Sequence, residues 1–194
     1  MRAIADRVGV SLGSSYHYFP TKEHLVLEFY RHIHELHAAA IAPLFARERD
    51  FAARLRGTIR ALVVTCEPFH DFAGSIFSTV ANPSSPLNPF GAAAKPLRDE
   101  VVALYAEVVE GSDARLPADI AQMLPLVLWL YQMGILYFWI FDRSPGRLRT
   151  LEVIDETSEL IVKLLSLANL PVLRRSRQRA LKLIAGIVAI PLVP

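Results

Sequence analysis

The fold is decided by residues 4–25, which read IADRVGVSLGSSYHYFPTKEHL in a chain of 194 residues. The pattern predicts two short helices joined at Gly9, because glycine tolerates the tight turn that ends the first helix. Ser11 and Thr21 stand where N-caps would begin the second helix and a long third helix. Small and hydroxyl-bearing side chains fill the second helix, which suits close approach to the DNA major groove and bonding to phosphates. An ordinary helical hairpin with a polar surface has the same spacing and is the alternative.

Candidate DNA contacts come from the second helix and from the first turn of the long helix. Hydroxyls bond phosphates, Tyr and His side chains reach the backbone or base edges, and a lysine beside a helix N-terminus binds a further phosphate. The candidates are Ser11, Gly13, Ser14, Ser15, Tyr16, His17 and Lys22.

The run from Ile4 to Leu25 resembles the DNA-binding signature of the TetR family of bacterial transcription regulators. The resemblance implies an all-α fold, with a helix-turn-helix head at residues 1–24 and a larger helical domain at 25–194 that binds an effector and dimerises. It places five of the candidates at DNA-contacting positions: Ser14, Ser15, Tyr16, His17 and Lys22. It also implies that the core of the head, or its junction with the long helix, is formed by Ile4, Ala5, Val8, Val10, Tyr18, Phe19 and Leu25.

One departure concerns the start of the head. Family members normally carry another helix before the helix-turn-helix, whereas Met1 here coincides with the start of its first helix. A head of two helices would expose the apolar faces of Ile4 and Val8 and hold the recognition helix loosely. We therefore expect this chain to bind operator DNA more weakly than a version extended upstream.

The remaining periodic stretches also predict helices. Thr21 opens a helix over residues 21–42, and its apolar stripe is formed by Leu25, Phe29, Ile33, Leu36 and Ala40. Further helices are predicted where apolar residues recur at helical spacing or form a continuous run. The segment 82–89 is rich in Pro, Asn and Ser and predicts a loop. These helices lie at 48–66, at 70–81, around 97–108, from Pro117 to about 141, at 148–169 and after Pro171. Without an alternating strand pattern, the fold class is all-α.

The stretch 120–141 carries no charged residue and is long enough to span a membrane. Asp119 and Asp142 flank it without a basic bias, and it contains two glutamines and Pro125, which favours the buried central helix of a helical domain. A membrane-associated helical protein that uses this stretch and a basic C-terminal tail remains the alternative function.

Composition and charge narrow the possible classes. Hydrophobic residues make up 53% of the chain and charged residues 21%, which excludes low-complexity disorder. Residues 160–194 carry six Lys or Arg and no Asp or Glu, so this tail either attracts nucleic acid or an anionic membrane or forms the solvated face of a last helix. Cys66 is the single cysteine, so an internal disulfide and multi-cysteine zinc sites are excluded.

Aromatic residues on the helices around the long loop predict an effector pocket. Few charges lie inside these helices, so the effector is expected to be hydrophobic or aromatic, although an aromatic stripe at helical spacing is more often core than pocket. The candidate ligand-binding residues are Phe69, Phe72, Phe77, Tyr105, Trp129, Gln132 and Met133. Gln132, Tyr105 and His70 are the candidate polar contacts.

Enzymatic and metal sites are not expected. The GVSLG string at 9–13 matches a nucleophile elbow, but no strand precedes it. His34 and His37 have the spacing H-E-x-H rather than the metal-binding H-E-x-x-H, which favours a solvated helix surface. Cys66 lies near Glu67 and His70, but without an orienting third group it is expected to be a small buried residue. We expect no catalytic residue, metal or cofactor.

Together these observations predict a cytoplasmic, homodimeric transcription regulator, expected to be a repressor, that an effector releases from operator DNA. The long helix from Thr21 joins the head to the pocket and is the natural lever. The helices near 118–141 and 148–169 are the predicted dimer face, in a four-helix bundle with their symmetry mates. The predicted partners are double-stranded DNA, a small molecule and a second copy of the chain, and no membrane.

Overall fold

The computed structural model describes residues 1–168, 170 and 174–189, and these contain α-helices without any strand. The all-α prediction is confirmed. Short 3-10 turns at Glu67–Phe69 and Pro145–Arg147 join α4 to α5 and α7 to α8. The helices are α1 Arg2–Val8, α2 Leu12–Tyr18, α3 Lys22–Arg47, α4 Phe51–Cys66, α5 His70–Ala81, α6 Lys95–Glu110, α7 Ala118–Phe141, α8 Leu148–Ala168 and α9 Arg174–Ala189.

The predicted caps begin and end the helices of the head. Gly9 follows α1 with φ 73°, a left-handed conformation that favours glycine. The Ser11 Oγ accepts a hydrogen bond from the backbone N–H of Ser14 at 3.0 Å and begins α2. Thr21 caps α3 in the same way through the N–H of His24 at 3.4 Å. These local signals in the sequence fix the two turns of the head.

The apolar residues of the head are less buried than the family resemblance implies. Ala5 is 1% exposed, but Ile4 and Val10 are 45% and 46% exposed, Val8 is 64% and Tyr18 is 71%. The prediction of a core role is wrong for these four residues, because α1 and α2 are short and contact chiefly each other. The exposure expected for Ile4 and Val8 is confirmed in the described residues. The remaining members of the set are partly buried: Phe19 and Leu25.

The buried face of α3 differs from the predicted stripe. Ile33, His37 and Ile41 are buried at steps of four, whereas Leu36 is 44% exposed and Ala40 is also exposed. The stripe is wrong at its last two positions, and His37 does not lie on a solvated surface. A histidine can replace an aliphatic residue here because a carbonyl of α4 accepts its ring N–H.

α4 lies at the centre of the larger domain and packs against α3, α6 and α8. Leu55, Ile59, Leu62 and Val63 line its buried sides. Burial of one such side chain stabilises the fold by roughly 1.5–3 kcal/mol, so this helix is the main apolar anchor of the domain.

α7 is long and apolar enough to cross a membrane by length and composition. It instead packs along α6 and buries one side, including Leu124, Leu128, Trp129 and Ile135. This is the packing of a core helix in a helical domain, and the membrane-associated alternative is not favoured.

The basic tail forms the exposed side of α9. Arg174, Arg175, Arg179 and Lys182 are exposed, so the solvated-face interpretation describes them. A further arginine of α9, Arg177, pairs with the Asp119 carboxylate at the start of α7, at 3.1 Å. The predicted start of the last helix at Pro171 lies outside the described residues, as does Asn169 at the end of the range 148–169.

Candidate effector cavity and DNA-binding head

A cavity of about 610 Å³ lies between α3, α5, α6, α7 and the long loop before α6. Its wall is mostly apolar and aromatic. Six predicted ligand-binding residues line it: Phe69, Phe72, Phe77, Trp129, Gln132 and Met133. The pattern of aromatic residues around the loop therefore marked a cavity wall rather than only a core.

Two predicted polar contacts lie outside this cavity. Tyr105 is fully buried one turn beyond Val101, and its hydroxyl donates to the Gln132 Oε1 at 2.8 Å. His70 faces the end of α7, where its Nε2 donates to the carbonyl of Trp139 at 3.0 Å. Tyr105 and His70 are therefore not part of the cavity wall. Each instead forms a hydrogen bond with a polar group of α7.

α3 contributes a side of the cavity that the sequence did not reveal. The Phe29 ring lies edge-on to Phe69 at 4.9 Å and to Phe72 at 5.3 Å, measured between ring centroids. These contacts join the long helix to the turn between α4 and α5. The residues of α3 that line the cavity are Leu27, Phe29, Tyr30, Ile33, His34 and His37. The apolar spacing of Phe29 and Ile33 was the available signal, but it does not distinguish a cavity wall from a packed face.

The long loop closes another side through hydrogen bonds. The Asn88 Nδ2 donates to the carbonyls of Val80 and Asn82 at 3.2 and 3.3 Å, and its Oδ1 accepts from the N–H of Phe90 at 2.9 Å. The Phe90 ring consequently lies 5.1 Å from the Trp129 ring, between centroids. The loop is therefore a built wall of the cavity.

Arg98 holds the other end of the same loop. Its Nη1 donates to the carbonyl of Pro89 at 2.7 Å and to that of Gly91 at 3.2 Å. The guanidinium carbon lies 5.9 Å from the Trp129 ring centroid. The residues that line the cavity include the cation Arg98 and contain no Asp, Glu or Lys.

Burial keeps three titratable groups of the wall neutral: His37, Tyr30 and Cys66. Desolvation lowers the pKa of His37 to about 4, although its hydrogen bond to the Thr58 carbonyl at 2.8 Å partly opposes the shift. Burial raises the pKa of Tyr30 to about 12 and that of the Cys66 thiol to about 12. Cys66 is partly buried, and its raised pKa keeps the thiol protonated at neutral pH. A cavity with this wall suits a ligand with a large apolar part.

The described residues contain no group of three or more His, Cys, Asp and Glu that could hold a metal ion. His34 is partly buried and faces the Glu100 carboxylate at 4.0 Å. His37 points to the α4 backbone. The two histidines therefore do not converge with a third ligand in the described part of the chain.

In the head, six of the seven candidate DNA contacts are exposed. Tyr16 is 49% exposed. His17, which follows it in α2, and Lys22, which begins α3, are also exposed. Ser15 is partly buried, and its hydroxyl donates to the carbonyl of Ser11 at 3.1 Å. The Ser11 hydroxyl in turn caps α2. The other exposed candidates are Gly13 and Ser14.

Exposed apolar side chains mark one side of α8. Leu160, Leu164 and Leu167 are 51%, 54% and 53% exposed and recur at steps of four and three. Phe138 and Phe141 at the end of α7 are 39% and 56% exposed. The three leucines follow one another along α8, and an exposed apolar row of this kind typically marks an interaction site.

The fold and these surfaces define a DNA-binding transcriptional regulator with a small helix-turn-helix head and a larger helical domain. Residues 1–29 match the family model described as bacterial regulatory proteins, tetR family. Residues 54–178, more than half of the chain, match the model described as Tetracyclin repressor-like, C-terminal domain. The chain belongs to the TetR family. A search of curated proteins finds no match to it.

Proposed function

We propose that this protein is a cytoplasmic, homodimeric repressor that a small hydrophobic or aromatic effector releases from operator DNA. Residues 1–24 form the DNA-binding head, and residues 25–194 bind the effector and dimerise. The observation that carries the proposal is the position of α3: Lys22 in its first turn adjoins the head, and Phe29 and His37 further along line the cavity. A molecule in the cavity therefore touches the helix that carries the head.

The cavity has the size of a small-molecule site. Its volume of about 610 Å³ falls in the range of about 300–1,000 Å³ that such sites occupy. An effector shifts the equilibrium only if it binds one arrangement of α3 better than the other. The edge-on contacts of Phe29 with Phe69 and Phe72 support this proposal, because a ligand that separates these rings would also move α3.

The head would bind operator DNA through exposed side chains of α2 and α3. Ser14, Tyr16 and His17 would face the major groove, and Lys22 would neutralise a phosphate. Ser11 and Ser15 would keep α2 in shape through their internal hydrogen bonds, and the candidate Gly13 would allow close approach of the backbone.

A second copy would cover the exposed leucines of α8 together with the part of α7 that packs beside them. Homodimers bury such self-complementary apolar faces about a two-fold axis. Two heads would then reach half-sites about 34–36 Å apart along DNA.

The DNA-binding half of the proposal is tested by selection. The purified protein is incubated with a pool of random duplex DNA, bound fragments are enriched, and the winning site is titrated by gel shift. We expect a palindromic site, and for Lys22→Ala a weaker affinity with a shallower salt dependence, because each lost phosphate contact removes about 0.9 from the log–log salt slope. Lys95→Ala, which removes an exposed lysine of α6, is the matched control and should leave both unchanged. Failure to enrich any duplex sequence would contradict the proposal.

The ligand-binding half is tested with N-phenyl-1-naphthylamine, a neutral aromatic probe that fluoresces in apolar surroundings. We expect saturable binding to the wild type. Ala73→Phe should abolish it, because Ala73 lines the cavity and the larger ring fills it. Ala103→Phe adds the same ring on the exposed side of α6 and should preserve binding. Equal binding by the two variants would place the probe outside the cavity.

A further inference from the structure

Gln132 is a polar residue in the apolar part of the cavity wall. It is 5% exposed, lies on α7 one turn after Trp129, and lines the cavity. An amide has two donor hydrogens and an acceptor oxygen, so a buried glutamine needs partners on two sides. Only one side of Gln132 faces a protein partner in the described part of the chain, the hydroxyl of Tyr105 at 2.8 Å.

Tyr105 fixes which end of the amide faces the cavity. Tyr105 is fully buried, and its hydroxyl has no other hydrogen-bond partner among the described residues. With the amide reversed, the Gln132 Nε2 would donate to the phenol oxygen, and the buried hydroxyl hydrogen would have no acceptor. Leaving a buried donor unpaired is costly. The hydroxyl therefore donates to Oε1, and the Nε2 group is directed away from Tyr105.

The Nε2 group is open to the cavity. Among the described residues, the buried side-chain nitrogen and oxygen atoms that lack a hydrogen-bond partner belong to Arg56, His70 and Arg147. The Gln132 Nε2 is not one of them, so it is not sealed from solvent. The neighbouring wall offers apolar groups such as Met133 and Trp129. A donor held in one orientation by a buried tyrosine, and facing an apolar cavity, is preorganised to bind an acceptor atom on a ligand.

We propose that Gln132 determines the specificity of the cavity by donating a hydrogen bond from Nε2 to a neutral acceptor oxygen, such as a carbonyl, on an otherwise apolar effector. The inference rests on the proposed function and narrows its ligand class. Tyr105 acts through Gln132 as a positioning residue. Arg98 already holds the loop through Nη1, which donates to two of its carbonyls, and recognition of a ligand charge by Arg98 is the alternative that the test separates. A site that hydrogen-bonds its ligand discriminates strongly against an analogue that lacks the bonding atom.

The test compares 2-acetylnaphthalene with 2-ethylnaphthalene, which share the naphthalene ring and a two-carbon substituent and differ in the carbonyl oxygen. Their dissociation constants are measured by displacement of N-phenyl-1-naphthylamine, and the ratio of hydrocarbon to ketone constants is compared between proteins, so that differences in ligand hydrophobicity cancel. We expect Gln132→Met to lower this ratio roughly 10- to 100-fold relative to the wild type. The double variant Gln132→Met with Tyr105→Phe should lower it equally while leaving no unpaired hydroxyl, which keeps the test valid if the single variant folds poorly.

Gln122→Met is the matched control, because it makes the same substitution at an exposed position of α7 outside the cavity wall, and it should leave the ratio unchanged. An unchanged ratio in the double variant would overturn the inference while leaving the effector cavity intact. Much tighter binding of 2-naphthoate than of the ketone would also overturn it, in favour of charge recognition by Arg98. If N-phenyl-1-naphthylamine itself fails to bind the wild type, the proposed effector site fails, and the inference fails with it.

Discussion

His37 joins α3 to α4 through a buried ring that must stay neutral. Its Nε2 donates to the Thr58 carbonyl at 2.8 Å, and burial lowers the pKa of the ring from 6.5 to about 4. The unfolded chain therefore binds a proton at a higher pH than the folded protein does. Its contribution to stability is complete above about pH 6.5 and is lost as the pH falls toward about 4.

We expect the wild type to lose about 2 kcal/mol of unfolding free energy from this group between pH 7.5 and 5. His37→Gln keeps a donor for the Thr58 carbonyl but cannot titrate, so its stability should depend less on pH over this interval. Urea unfolding at both pH values measures the difference. His32→Gln, at an exposed position of the same helix, should keep the pH dependence of the wild type. An identical slope in the two variants would refute this role of His37.

Arg54 is a buried cation that hydrogen-bonds to the protein backbone. It is 2% exposed, and it donates to the carbonyls of Glu107 at 2.7 Å and Val108 at 3.1 Å at the end of α6. It also donates to the carbonyls of Phe45 at 3.1 Å and Glu48 at 2.9 Å at the end of α3. Arg54 therefore donates hydrogen bonds to backbone carbonyls at the C-terminal ends of both α3 and α6.

Gly111 makes room for this guanidinium, which gives a second prediction. A Cβ at Gly111 would lie 2.4 Å from the Arg54 Nη2 and 3.0 Å from the Glu107 carbonyl oxygen. Gly111→Ala should therefore displace Arg54 and destabilise the protein by about 2–4 kcal/mol, because buried carbonyls lose a charged donor. Gly74→Ala, whose Cβ meets nothing within 4 Å, should be neutral or slightly stabilising. Urea unfolding of both variants is the measurement, and equal stability would contradict the packing described.

At the scale of elements, the sequence predicted helix starts, which depend on local contacts, better than the cavity wall, which depends on the packing of distant helices. Ser11 and Thr21 determine helix starts through hydrogen bonds within three residues, so the sequence was sufficient to place α2 and α3. The cavity wall depends on which helices meet. Phe29 faces Phe69 only because α3 and α4 pack together, and helical spacing alone did not separate that face from a core.

Residues behind the wall were harder still to place. Tyr105 and Gln132 both carry polar groups on apolar helices, and the sequence predicted that both would contact the ligand. The packing of α6 against α7 puts Gln132 between Tyr105 and the cavity. Which of the two residues lies nearer the cavity depends on how α6 and α7 are rotated about their axes, and helical spacing in the sequence does not determine these rotations.

The junction of α7 and α8 depends on Asp142. Its carboxylate is 5% exposed and accepts from the N–H and hydroxyl of Ser144 at 2.8 and 2.7 Å and from those of Thr150 at 2.9 and 2.7 Å. Burial by itself raises the pKa of Asp142, but these four hydrogen bonds outweigh it and lower the pKa well below its ordinary value. The carboxylate thus fixes the angle at which α8 leaves α7.

Asp142→Asn should destabilise the protein by about 1–3 kcal/mol at pH 7, because the new NH₂ group faces donors. The folded pKa is depressed, so the contribution of the carboxylate is complete above its ordinary pKa of 3.8 and is lost as the pH falls below it. The difference between wild type and variant should therefore shrink from pH 5 to pH 3. Thermal unfolding at each pH measures it, and a difference that stays constant would contradict the assignment.

At the scale of the whole molecule, the high hydrophobic content is divided between a core, a cavity and an outer face. α7 buries one side against α6 and lines the cavity, which accounts for much of its apolar sequence. The leucines of α8 serve neither purpose, because Leu160, Leu164 and Leu167 are each about half exposed. The proposed dimer needs a face that a second copy of the chain can cover, and these exposed leucines provide one.

Leu160→Lys combined with Leu164→Lys should convert the proposed dimer to a monomer, because two buried charges on each side of a two-fold interface are strongly unfavourable. The loss should also lower affinity for the selected operator by a factor of about 100 or more, since one head retains only its own half of the contacts. Sedimentation velocity and gel shift on the same samples provide the measurements. Ser166→Lys adds a charge at an exposed polar position of the same helix and should leave both properties unchanged. A double variant that still sediments as a dimer would move the interface elsewhere, whereas a monomer that binds the operator with undiminished affinity would separate DNA recognition from dimerisation.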